Sequence, residues 1–131
     1  MTKNYDLSMV LDMSDSSLIT PVTVDSFPKI LDQAGVYLVD FYADWCGPCK
    51  AMAPVLENLA AEMKEVKFLS VDVDAETELA QQFGITAMPT FYLLRLPGDG
   101  SFDLQRDTVT VMRGAAPALD FKMAIEKALE K

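Results

Sequence analysis

The chain has 131 residues, half of them apolar, enough for one domain that buries a core without disulfides or metal. Its 20 Asp and Glu against 11 Lys and Arg leave a formal charge of -9, which excludes nonspecific binding to nucleic acid or to anionic membrane surfaces. No apolar run approaches a membrane span, and Lys3, Asp6 and Asp12 around a short apolar patch do not make a signal peptide, so the mature chain is expected to start near Met1.

Residues 1–18 mix Asp, Ser and scattered apolar side chains without a period. They are read as an N-terminal extension, a flexible or loosely docked arm before a domain of residues 19–131. Met9, Val10, Leu11 and Met13 keep a partner-binding segment open as a second reading. Alternation and β-branched residues over 19–24 predict a short strand, and Asp25 or Ser26 can cap a helix over 27–33 that Gly35 ends. The nearly unbroken apolar run 36–42 has the pattern of a central strand covered on both faces. Asp40 interrupts that run. Desolvation there raises the pKa of a carboxylate towards neutrality, which makes Asp40 the best general acid or base in a chain without histidine. A solvent-facing or hydrogen-bonded structural aspartate is the alternative.

Next comes Trp45-Cys46-Gly47-Pro48-Cys49-Lys50, which holds both cysteines of the chain. Two thiols so spaced can close a disulfide. Where the first lies near a helix N-terminus, unpaired backbone N–H groups and the positive end of the helix dipole face its sulfur and favour thiolate. Cys46 is therefore the expected nucleophile, and Cys49, one turn in and more buried, the resolving thiol. Zinc wants four ligands, and with no histidine and no third cysteine no metal is expected. A structural staple is a weak alternative, since so short a loop removes little unfolded-chain entropy. With no cysteine spent on a structural bridge, the chain fits a reducing compartment, and a cytoplasmic location is expected.

Beyond the motif, Met52, Val55, Leu56, Leu59, Ala60 and Met63 recur at helical spacing, with Pro48 in the first turn and a kink expected at Pro54. A second buried strand is predicted over 67–73, a short helix over 76–83, and an antiparallel pair over 90–94 and 108–112 linked by Pro97-Gly98-Asp99-Gly100. Pro117 can start a last helix with Phe121, Ala124, Ile125, Ala128 and Leu129 on one face. The alternation of strands and helices argues for α/β layers, a sheet flanked by helices on both faces.

Three separated segments carry a resemblance. Val39-Asp40-Phe41-Tyr42-Ala43-Asp44 leading into WCGPCK and Ala51-Met52-Ala53-Pro54, then Gly84-Ile85-Thr86-Ala87-Met88-Pro89-Thr90, then Arg113-Gly114-Ala115, resemble the thioredoxin family in type and order. The resemblance implies the thioredoxin fold, with a central sheet of mixed parallel and antiparallel strands. It implies that Asp40 shuttles the proton of Cys49 and that Pro89 is held cis. It implies too that Trp45, Gly47, Pro48, Met88, Pro89, Gly114 and Ala115 form a shallow apolar substrate-binding surface around the Cys46 sulfur. Substrate chain would then pair with the Met88 backbone as an added strand.

The implied activity is protein-disulfide reduction by dithiol–disulfide exchange in a monomer with no bound cofactor. Its redox-active Cys46–Cys49 disulfide is recharged indirectly from NADPH through thioredoxin reductase, and its partners are disulfide-containing proteins. Gly-Pro between the cysteines resembles the reducing members. The alternatives are an oxidase or isomerase of the same fold, or a binding module without turnover. Two positions depart from the family pattern: Ser70 stands where a lysine is usual, and Arg113 where an apolar residue is common. Residues 101–107 lengthen the late hairpin with polar sequence, read as a tolerated surface loop rather than a specificity element.

Overall fold

The computed structural model describes residues 17–130, so the expected arm lies outside the described residues up to position 16. The organising element is β2 (Gly35–Tyr42), in the middle of a five-stranded sheet ordered β1-β3-β2-β4-β5. β1 (Ile19–Pro21) and β3 (Val66–Asp72) complete the parallel half, while β4 (Thr90–Leu96) and β5 (Thr108–Arg113) are antiparallel. The sheet is thus mixed, as the resemblance implies.

Strand alternation sorts the side chains into two cores. Tyr37, Val39 and Phe41 pack with Phe27 of α1 (Phe27–Ile30), Leu79 of α3 (Thr77–Gln82) and Phe83 just beyond it. Val36 and Leu38 face the other way, onto Met52, Leu56 and Leu59 of α2 (Gly47–Glu62) and Phe121 and Ile125 of α5 (Ala118–Leu129). By the same alternation Asp40 points to the α2 side. On β3, Ser70 does likewise and stands directly beside Asp40 in the register.

Several elements differ from the sequence reading. β1 stops at Pro21, which has no N–H for a ladder, although Val22 N still donates to Ser70 O at 2.8 Å. Thr23 and Ser26 then exchange backbone-to-hydroxyl bonds of 2.9 and 3.1 Å, and α1 lasts a single turn. Gly35 opens β2 rather than closing α1. As the helical spacing from Met52 to Met63 predicts, α2 runs through Pro54, which is exposed, so the missing donor lies on the solvent side. Strands β3 and β4 run Val66–Asp72 and Thr90–Leu96, within two residues of the expected bounds at each end.

The late hairpin is the main correction. Residues 101–107 are no plain surface loop but carry an additional helix, α4 (Leu104–Asp107). Phe102 reaches back into the first core, its ring 5.3 Å from Phe27 and 5.3 Å from Phe83. Asp103 caps α4 by accepting from Arg106 N at 2.8 Å. Asp107, only 4% exposed, accepts from Arg106 Nε at 2.7 Å and Arg106 Nη2 at 2.9 Å. This forked pair holds the Asp107 carboxyl below its ordinary pKa, the Arg106 hydrogen bonds being the main cause. Gly98 lets the loop close onto the α1–β2 turn: its φ is +82°, and a Cβ there would lie 2.5 Å from Ala34 N.

Candidate active site

β2 ends at Tyr42 and the chain turns through buried Ala43 and exposed Asp44 and Trp45 into α2. Cys46 is the N-cap of that helix, extended at φ -89° and ψ 111°, and its Sγ accepts from Cys49 N at 3.2 Å. A backbone donor and the positive end of a helix of 16 residues therefore face this sulfur, which favours its anionic form. Cys46 and Cys49 are joined as a disulfide with Cα atoms 5.3 Å apart. Burial does not separate the two as the sequence suggested: Cys46 is 4% exposed and Cys49 8%. Position on the helix, not depth, distinguishes them.

Around this pair the structure gathers the residues named from sequence. Met88 packs against Ala43, Cys46 and Cys49. The Met88–Pro89 bond is cis, and Pro89 O accepts from Gly114 N at 2.9 Å, which ties the lip at Gly114 and exposed Ala115 to the proline turn. Gly47 and Pro48 are exposed on the first turn of α2. Trp45 is 68% exposed and stands as a rim, not as core. Three further residues escaped the sequence reading. Asp74 accepts from Trp45 Nε1 at 2.9 Å, and Asp72 in turn accepts from Asp74 N at 2.9 Å, so the β3–α3 loop sets the indole. Val73, half-buried, packs against the cysteine cluster from the same loop.

Asp40 lies beneath this surface. Its Oδ1 is buried and meets no hydrogen-bond partner among the described residues. Burial pushes its pKa up to about 7. Asp40 and Cys49 line one cavity of about 360 Å³, together with Ser70. A carboxyl poised near neutrality therefore lines the same cavity as the second cysteine of the pair. Among the described residues no three acidic or cysteine side chains gather as metal ligands.

The comparisons agree with this geometry. The family model described as Thioredoxin matches residues 18–117. The thioredoxin of Chlamydia muridarum is 45% identical over 78 residues, which are 60% of this chain and 76% of the relative. Thioredoxin-1 of Schizosaccharomyces pombe is 41% identical over 87 residues, 66% of this chain and 77% of the relative. The oxidised mitochondrial thioredoxin 3 of Saccharomyces cerevisiae superposes with a TM-score of 0.69 at 34% identity, covering 85% of this chain and 99% of that one. With the helix-capping Cys46–Cys49 disulfide, the cis Met88–Pro89 turn and the Gly114 lip in one place, the chain belongs to the thioredoxin family of thiol–disulfide oxidoreductases.

Proposed function

We propose that this protein reduces disulfides in other proteins, with Cys46 as the attacking thiol, Cys49 as the resolving thiol and Asp40 as the proton carrier. In the reduced form the Cys46 thiolate attacks one sulfur of a substrate disulfide, forming a mixed disulfide and expelling the other sulfur as a thiolate that takes up a proton. Cys49 gives its proton to Asp40 and attacks Cys46 Sγ. The second substrate sulfur leaves as a thiolate that takes the proton held by Asp40, and the pair is left as the Cys46–Cys49 disulfide. Two electrons have passed from the protein to the substrate. The observation that carries this assignment is the helix-capping Cys46 joined to a Cys49 that shares a cavity with Asp40.

Trp45, Gly47, Pro48, Met88, Gly114 and Ala115, with Pro89 buried beneath them and fixing the Met88 turn, supply a shallow surface suited to extended polypeptide, and hence to broad specificity. Arg113, exposed beside Gly114, adds a cation that favours acidic substrate segments. Recharging by an NADPH-dependent thioredoxin reductase, a cytoplasmic location and a monomeric state belong to the same reading. The first two are supported by the Gly-Pro active-site dipeptide and by a chain whose two cysteines both serve the exchange.

The test is the reduction potential of the Cys46/Cys49 couple, titrated against a thiol buffer and followed by Trp45 fluorescence. A two-electron transition below the glutathione poise is expected, with turnover lost in Cys46→Ser and a mixed disulfide trapped in Cys49→Ser. A potential well above that poise would assign an oxidase or isomerase instead. Insulin reduction unchanged in Cys46→Ser would overturn the assignment altogether.

A further inference from the structure

α2 does not seal the sheet next to β1. The cavity of about 360 Å³ between them is walled by Ile19, Tyr42 and Leu56, with Asp40, Ser70 and Cys49 also in its lining. That volume lies within the range of small-molecule sites, roughly 300–1,000 Å³. Asp40 and Ser70 are half-buried neighbours in the β2–β3 register, on the same face of the sheet. Toward solvent the lining changes to exposed Asp44 and Lys50 and to half-buried Glu57, which accepts from the Ser17 hydroxyl.

The lining selects the chemistry of an occupant. Hydrocarbon walls take an aliphatic body. The buried Asp40 Oδ1, without a partner among the described residues, calls for a donor, and the Ser70 hydroxyl beside it can accept a second bond. Three carboxylates against the single ammonium of Lys50 favour a cation and oppose an anion. An ammonium is a pure donor, compact enough to sit where the small Ser70 side chain leaves room.

We propose that this cavity is a binding site for a short aliphatic amine. Its ammonium bonds Asp40 and Ser70, and its hydrocarbon lies on Ile19, Tyr42 and Leu56. In a diamine the second ammonium meets Glu57 or Asp44 at the open end. Occupancy places a positive charge beside the carboxyl that serves Cys49, so such an amine tunes the redox couple without competing for the protein-binding surface at Trp45 and Met88.

The test uses the full-length oxidised protein at pH 8, titrated with 1,4-diaminobutane by calorimetry and methyl NMR, with 1-butanol and butyrate as neutral and anionic controls. The diamine is expected to bind about tenfold or more tighter than 1-butanol, the worth of one charge-assisted hydrogen bond. It should also shift the methyl signals of Ile19 and Leu56. Asp40→Asn should lose that preference, and so should Ser70→Lys, which fills the site with the chain's own ammonium. Equal affinity for diamine and alcohol would overturn the proposal. So would undisturbed Ile19 and Leu56 signals, or diamine affinity retained in a folded Ser70→Lys variant. No turnover enters these measurements, so their outcome is independent of whether the protein reduces disulfides.

Discussion

Replacing Asp40 with asparagine keeps the shape of the side chain and removes its titration. The effect on stability can be worked from the structure. Burial raises the folded-state pKa from 3.8 to about 7. Between those two values the folded protein binds more protons than the unfolded chain, so this group's contribution is full below pH 3.8 and is lost as pH rises through about 7. At about 1.4 kcal/mol per pH unit, the loss approaches roughly 4 kcal/mol and is complete a little above neutrality. Guanidinium unfolding of the oxidised wild type and Asp40→Asn, from pH 4 to pH 9, is the assay. The advantage of the variant should grow by up to about 4 kcal/mol between pH 4 and pH 7, then level off. A difference that stays flat across the range would refute the reasoning, because it would mean that Asp40 titrates alike in both states.

Three other outcomes follow from the packing. In Ser70→Lys an ammonium next to Asp40 should lower its pKa below about 7, read by NMR or infrared titration of the carboxyl; an unchanged titration would contradict the register. Phe102→Ala should cost about 1–3 kcal/mol, less than a fully buried phenylalanine because the ring is half-buried, while disulfide reduction stays at the wild-type rate. Gly98→Ala should cost about 1–3 kcal/mol, from its left-handed backbone and from crowding against Ala34, measured as a lower unfolding midpoint.

Much of the site was legible because its signals are local. The Cys46–Cys49 spacing, the helix after it and the lone carboxylate in the apolar run of β2 are each read within a few residues of sequence. Alternation along β2 puts Asp40 on the α2 face, so its partnership with Cys49 follows from two periodicities that meet. Asp74 was not legible. It lies 29 residues from Trp45, in a loop, and only the folded sheet brings the pair together. The burial of both cysteines is not legible for a related reason, since Met88 and Val73 pack against their cluster from turns distant in sequence. In the late hairpin, α4 is too short to show a period, and its anchors are two isolated apolar side chains, Phe102 and Leu104, among polar residues.

Strand direction gives the molecule two unlike ends. The end of β2, the start of β4 and the end of β5 lie together, so Cys46, Pro89 and Gly114 share one pole, while residues 97–107 leave β4 at the other. The eight residues of β2 separate the poles by about 26 Å, at about 3.3 Å per residue. A substrate whose disulfide is engaged at Cys46 touches the long hairpin only if it spans that length along the outside of the sheet. Changes in the hairpin therefore act on stability, through the Asp99–Ser101–Arg106 hydrogen bonds and the Phe102 anchor, without altering which disulfides the opposite pole receives.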